Sequence, residues 1–188
     1  MIRKQEIIWI TVKIVYIASI LGYILYIVGM DSAMNQINQR QENSPAGQDV
    51  QNCAGAQERL ERLRHSCAHI MAQCVQELFP GTKLAIGPII EDGFYYDFDT
   101  PHRFVPEDLP KIEERMRGVI AGNHSFNHSV KPREEALRYF QERNENYKVE
   151  IIEGLAPAEE VSFYQHDTFT DLCRGPHALN TGEARHFH

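Results

Sequence analysis

Residues 57–79, QERLERLRHSCAHIMAQCVQELF, constrain this chain more than any other stretch. Leu60, Leu63, Cys67, Ile70, Met71, Cys74 and Leu78 recur at spacings of three and four, which predicts one amphipathic helix with an apolar face. Pro80-Gly81 marks its end. His65 and His69 lie four residues apart on it, so their imidazoles stack on one face about a turn apart. Far downstream, DLCRGPH places Cys173 and His177 four residues apart on a Gly-Pro turn. Together, H-x3-H on a helix and C-x3-H on a loop supply the ligand types of a tetrahedral zinc site. With three ligands, such a site leaves a position for water. Ser66 stands where a zinc protease would carry its glutamate base, so the helix motif is not H-E-x-x-H.

The four side-chain ends are expected within about 8 Å of one another, room for one metal or one reacting carbonyl with water. A second reading of the same residues places the cysteines in the core and gives the histidines capping or backbone hydrogen bonds.

Charge and cysteine usage bound the function. In residues 1–56, Arg3, Lys4, Lys13 and Arg40 balance Glu6, Asp31, Glu42 and Asp49, so the net charge of −7 belongs to the remainder. Such a domain does not attract nucleic acid by its overall field, and any contact must be local or assisted by another module. Of the four cysteines, Cys67 and Cys74 share the helix, with Cα atoms about 10.5 Å apart, too far for a bridge. No disulfide framework is suggested, and a reducing compartment fits.

Residues 7–30 are apolar except for Thr11, Lys13 and Ser19, and Ile14 to Met30 carries no charge. About 20 such residues span a bilayer, so residues 1–30 are expected to hold a single transmembrane helix that anchors the chain to a membrane. Arg3 and Lys4 before it, against Arg40 after it, favour a cytoplasmic N-terminus with the rest outside. Residues 31–55 are rich in Gln, Asn, Ser, Gly and Ala and read as a flexible linker.

The globular domain is expected over 56–188. Lys83–Gly87 reads as a short strand, Glu91-Asp92-Gly93 as a turn, and Phe94–Asp99 as an aromatic strand with Phe94, Tyr96 and Phe98 on one face. Helices are predicted over Pro106–Ala121, with Leu109 on the apolar face, and over Pro132–Arg143. Strands are predicted over Ser125–Val130, Tyr147–Ile152 and Val161–Gln165, with Lys148 near a strand start. The fold class is α+β: a mainly antiparallel sheet with packed helices, preceded by the single hydrophobic helix.

RHSCAHIMAQCVQELFPGTKLAIGPIIEDGFYYDFD, NYKVEI and DLCRGPH make residues 57–184 resemble the editing domain (second additional domain) of bacterial threonyl-tRNA synthetase, in the threonyl/alanyl editing superfamily. That resemblance implies hydrolysis of a wrongly charged tRNA ester, seryl-tRNA for threonine. The helix histidines of the family match His65 and His69, its aromatic-strand tyrosine matches Tyr96, its lysine matches Lys148, and its loop matches Asp171, Cys173 and His177. On side-chain chemistry, His65 suits the base, with an unperturbed pKa of about 6.5 near operating pH, Lys148 suits the oxyanion and Asp171 suits orienting the substrate, with Tyr96, His69, Cys173 and His177 expected to bind it. Alanyl-type relatives hold zinc with the equivalents of His65, His69, Cys173 and His177; threonyl-type domains use positioned water without a required metal. The implied partners are aminoacyl-tRNA and a separate threonyl-tRNA synthetase, and the implied location of the domain is cytoplasmic, against the charge bias above. Since a single methyl discriminates by only about 1–3 kcal/mol, a second, hydrolytic site has a purpose. His65→Ala and Lys148→Met are each expected to slow hydrolysis and leave the fold intact.

The family continues with a strand bearing an Ala-Tyr-Trp-Arg-Gly-Asp run and with an aminoacylation domain; this chain stops at His188, which reads as a C-terminal truncation. The alternative function is a catalytically inactive, membrane-tethered remnant acting as a binding module. A zinc-binding structural module unrelated to tRNA is a third reading.

Overall fold

The structure, a computed structural model, describes residues 46–156 and 159–187. The apolar segment 7–30 and most of the expected linker lie outside the described residues. No helix among those described is long and apolar enough to cross a membrane. Two compact units divide between Glu58 and Arg59, and every strand among the described residues lies in the unit that includes Arg59–His188.

The long helix, α1, runs Ala46–Leu78. It starts well before residue 57, inside the stretch expected to be linker. No proline stands between Pro45 and Pro80, so nothing in the intervening sequence forbids the helical hydrogen-bond ladder. The periodicity implies one buried face, yet every residue from Ser66 to Val75 is buried, while Leu60 and Leu78 at the two ends are exposed. A helix enclosed on all sides needs small residues where neighbours approach, and Ser66, Ala68 and Ala72 meet that need.

Residues 83–99 form one hairpin from short paired pieces. Strand β1 (Lys83–Leu84) pairs antiparallel with β4 (Phe98–Asp99), and β2 (Ile89–Ile90) pairs with β3 (Gly93–Phe94) around the Glu91-Asp92 turn. Between them the Ala85 N–H donates to the Asp97 carbonyl, the Asp97 N–H to Ile86, and the Tyr95 N–H to Pro88. Alternation sends Tyr96 and Phe98 inward, stacked with ring centroids 5.1 Å apart. Helix α2 (Asp108–Ala121) buries Ile112, Met116, Val119 and Ile120, and these join Cys67, Ile70, Met71, Cys74, Val75, Leu84, Phe98 and Phe169 in the main core. Leu109, expected on that face, is 46 % exposed, because the buried side chain of the first turn is Asp108.

The second half is a three-stranded antiparallel sheet in the order β5 (Asn127–Lys131), β6 (Val161–His166), β7 (Phe169–Leu172). Between β5 and β6 come α3 (Arg133–Glu142) and α4 (Asn146–Glu153). The strand predicted over Tyr147–Ile152 is therefore α4. Its side chains alternate Tyr-Lys-Val-Glu-Ile, which suggests a strand, but the buried pair is Lys148 and Ile152, one helical turn apart. Residues 167–171, without a predicted element, turn at Asp167 (φ 45°) and enter β7.

Period two gives this sheet two different faces. Val161, Phe163 and Leu172 meet Ala136, Phe140 and Ile152 of the two helices in a second core. On the other face Tyr164 pairs with Asp171, and His166 with Phe169. Phe140 stacks on Phe163 at 5.4 Å and is 2 % exposed. Phe140→Ala should therefore cost about 3–5 kcal/mol. The check is the urea midpoint of the full chain, and a loss below about 1 kcal/mol would show that this second core does not hold the sheet to its helices.

Candidate functional site

Four side chains from two distant segments meet above the sheet's second face. The potential ligand atoms of His65, His69, Cys173 and His177 all lie within 4.8 Å of one another, inside the 8 Å expected from the spacing argument. His65 and His69 project from α1, and their rings meet edge to face at 5.2 Å. The loop after β7 brings up the other pair. Cys173 lies two residues beyond Asp171, so it continues the same strand face, and its N–H extends the ladder to the Ser162 carbonyl at 3.0 Å.

The loop then folds tightly over Tyr164. Gly175 has φ +72°, a conformation that strains any side chain, and a Cβ there would press on the Tyr164 ring, so both backbone and space favour glycine. Its N–H donates to Cys173 Sγ at 3.2 Å. Past His177, the chain pairs back along residues 124–126, with the Phe126 N–H donating to the Leu179 carbonyl at 3.1 Å. That pairing lays the Phe126 ring parallel to His177 at 4.8 Å.

Protons can be assigned from the partners. The His65 Nδ1–H donates to the Pro176 carbonyl at 3.2 Å, which leaves a lone pair on Nε2. That lone pair faces Cys173 Sγ at 3.2 Å. His177 Nε2 stands 3.2 Å from the same sulfur, and its Nδ1 stands 3.2 Å from Ser66 Oγ. Ser66 Oγ in turn accepts the Ala178 N–H at 2.9 Å. The Ser66 hydroxyl donating to Nδ1, and Nε2–H donating to sulfur, complete the set. Sequence reasoning missed Ser66: it marks the absence of a protease glutamate there, whereas the structure makes it the tie between α1 and the loop.

Burial dominates the electrostatics. It lowers the pKa of His65, partly opposed by the Pro176 hydrogen bond and the Asp171 charge. His177 falls to about 2 for the same reason, with His65 and His166 adding to the shift. His69 is held well below the ordinary range, first by burial and then by His177. Burial pushes the Cys173 thiol up to about 12. The cluster is thus neutral near pH 7: uncharged imidazoles around a protonated thiol.

Beside it stands a charged group. Lys148 Nζ lies 2.8 Å from Asp171 Oδ1 and 3.0 Å from Oδ2, with both side chains almost wholly buried. The Tyr96 hydroxyl donates to Asp171 Oδ2 at 2.7 Å and accepts from Lys148 at 3.3 Å. The Leu172 N–H supplies a further donor to Oδ1 at 2.8 Å. Asp171 links the two groups, because it shares a strand face with Cys173. A cavity of about 140 Å³, lined by Gln76, Arg143, Glu145 and Thr170 among others, reaches Lys148 and Asp171. All seven residues singled out from the sequence are therefore brought into two adjoining clusters.

Comparison with known proteins gives the kinship. Residues 161–188 match the model of the threonyl and alanyl tRNA synthetase second additional domain. The chain is 50 % identical over 124 residues to threonine–tRNA ligase of Granulibacter bethesdensis, covering 66 % of this chain and 19 % of that protein. It is 47 % identical over 146 residues to the threonine–tRNA ligase of Fusobacterium nucleatum, covering 77 % of this chain and 22 % of that protein. With that of Rhodospirillum rubrum the identity is 52 % over 124 residues, 66 % of this chain and 19 % of that protein. The chain thus spans about a fifth of the length of the curated relatives it matches.

Burial of Lys148 bears on one expectation. Lys148→Met leaves the buried Asp171 carboxylate without its ammonium partner, so a loss of stability is expected beside the loss of rate. Breaking a buried pair from one side costs about 3–5 kcal/mol. The double variant Lys148→Met/Asp171→Leu should recover most of that loss in urea denaturation of the full chain. Additive losses in the double variant would show that the two side chains do not act as a pair.

Proposed function

We propose, on the premise that this chain belongs to the threonyl and alanyl tRNA synthetase second additional domain family, that it hydrolyses the ester of mischarged tRNA, with seryl-tRNA for threonine as substrate. The observation that carries this reading is the juxtaposition of a neutral histidine lone pair with a buried, anchored lysine. Ester hydrolysis needs a proton acceptor for water and a positive partner for the developing oxyanion. His65 Nε2 is the acceptor: the Pro176 carbonyl holds the tautomer, and burial keeps the ring neutral. Lys148 is the positive partner, held in place before any substrate arrives.

The anchoring changes the role of Asp171. Its oxygens already accept from Tyr96, Lys148 and the Leu172 N–H, so it positions the lysine more than it orients the substrate. His69, Cys173 and His177 wall the serine side chain, where one added methyl displaces the ester from attack geometry. A shift of about 1 Å in such positioning can cost about a hundredfold in rate. With the net charge of −7, tRNA is held by local contacts or delivered by a separate threonyl-tRNA synthetase.

Zinc fits the same four donors. Zn–N near 2.0 Å and Zn–S near 2.3 Å place tetrahedral donors roughly 3.3–3.8 Å apart. The two Cys173 contacts at 3.2 Å are close to that, and closure of the widest pair from 4.8 Å takes about an ångström. The Pro176 carbonyl holds the outer nitrogen of His65, as a metal-bound imidazole requires, whereas zinc at Nε2 of His177 would need the other tautomer there, with Nδ1–H donating to Ser66 Oγ. When bound by all four donors, the ion would stabilise a thiolate at Cys173 and tie the helix to the loop, with no position left open for water. It would also occupy the His65 lone pair, so the base role of His65 belongs to the metal-free protein.

The full chain should release labelled serine from seryl-tRNA for threonine and spare threonyl-tRNA. His65→Ala should lower that rate about 100-fold or more, with the circular dichroism spectrum unchanged. Equal release by both proteins, or none from a folded wild type, sinks the hydrolytic reading. Calorimetric titration of the dialysed chain should show one zinc per chain, with affinity at least about tenfold weaker in His69→Ala. An unchanged affinity in that variant would remove the metal assignment.

A further inference from the structure

Behind the histidine cluster lie polar atoms that no described protein group satisfies. His166 is 0 % exposed, and both of its ring nitrogens lack a hydrogen-bond partner. A neutral imidazole carries one N–H and one lone pair, so a donor and an acceptor are buried together. Gln73 Oε1 is also unpartnered. Turning the amide does not help, because Gln73 Nε2 donates to Glu77 Oε1 at 2.9 Å and to Asp167 Oδ2 at 2.8 Å. A flipped oxygen would face two carboxylates. The third such group is Nδ1 of His69.

Their residues are linked through one helix face and two shared aromatic neighbours. His69 and Gln73 are one turn apart on α1, hence on the same face. The Phe169 ring lies 6.0 Å from His69 and 5.4 Å from His166. Phe126 lies 4.8 Å from His177 and 4.7 Å from His166. His166 is thus a single aromatic ring removed from the cluster on two sides. Burial lowers its pKa to about 4, so it is neutral there. Nothing in the hydrolytic reading uses it.

We propose that His166, Gln73 and His69 together bind at least one buried water molecule, which makes His166 and Gln73 positioning residues for His69. Buried waters typically make about three hydrogen bonds to groups that lack protein partners, and this site offers them. The imidazole supplies both a donor and an acceptor, Gln73 an acceptor, and His69 a further ring nitrogen. The water orients the His69 ring as the Pro176 carbonyl and Ser66 orient the other two histidines. Through the Gln73 amide the network continues to Asp167, a quarter exposed and 3.9 Å from His124, and so reaches the surface. The positioning role rests on the hydrolytic reading; the water site does not.

Three full-chain proteins test it: wild type, His166→Phe and His166→Gln. If the imidazole nitrogens are dry, phenylalanine fills the same space with less to desolvate, and the urea midpoint holds or rises. If they hold shared water, His166→Phe strands Gln73 and His69, and the midpoint falls; His166→Gln, a donor and acceptor, keeps most of it. In NMR spectra of the wild type, a His166 ring proton should show a cross-peak to long-lived water. Serine release should drop about 10–100-fold in His166→Phe with KM unmoved, and recover in His166→Gln. A midpoint that does not fall in His166→Phe, or a ring proton without a water cross-peak, overturns the site. The wild-type spectrum decides the matter even where His166→Phe does not fold. Unchanged serine release in His166→Phe, with the cross-peak present, overturns the positioning role. A wild type that shows the cross-peak but releases no serine sinks the hydrolytic reading alone.

Discussion

A lysine ammonium and an aspartate carboxylate stand 2.8 Å apart in a place where both side chains are shut away from water. Burying either charge alone is prohibitive, so wherever Lys148 goes, Asp171 must go too. The pair is completed by Tyr96, 75 residues from Asp171 in sequence, and by the Leu172 N–H. Three separate elements, the 83–99 hairpin, α4 and β7, are thereby held to a single geometry. Coulombic attraction does not make this arrangement especially stable, since desolvation offsets much of it. What it supplies is specificity: any register slip of β7 by one residue turns Asp171 to the other face and leaves the ammonium bare.

The neighbouring cluster depends on that register. Cys173 follows Asp171 on the same strand face, so fixing one fixes the other. From the opposite side, α1 contributes His65 and His69, and Ser66 between them ties the helix to His177 and Ala178. Ser66 is also small enough to sit where α1 is enclosed on every side. Burial then acts on the chemistry. It takes the three imidazoles below their ordinary range and the thiol above its own, so lone pairs are available without free charge. One formal positive charge, on Lys148, stands beside a neutral donor set. That division of labour suits either proton transfer from water or metal capture, both of which need unprotonated nitrogen.

Local signals in the sequence carry much of this. The heptad-like spacing in residues 57–79 and the Pro80-Gly81 stop define the C-terminal part of α1, and the H-x3-H pair follows from helical geometry alone. The Glu91-Asp92-Gly93 turn and the alternation of Tyr96 and Phe98 give the hairpin and its inward face. Pairing C-x3-H with H-x3-H identifies all four donors before any fold is known. The α4 segment misleads, because Tyr147, Val149 and Ile151 alternate as a strand would, and only the neighbours it meets show that 148 and 152 are the buried positions.

The sequence by itself determined which residues carry chemically capable side chains and, α4 apart, much of which elements present them, since helix period, strand period and turn chemistry are properties of neighbouring residues. The depth of each group was decided only by the tertiary structure. Lys148, Ser66, Gln73 and His166 are ordinary polar residues in sequence, and their burial is created by segments up to 112 residues away. Burial sets the proton states, forces Lys148 and Asp171 to pair, and leaves His166 with two ring nitrogens to satisfy. Those consequences arise from desolvation, which is a sum over everything that surrounds a group and has no counterpart in the spacing of residues along a chain.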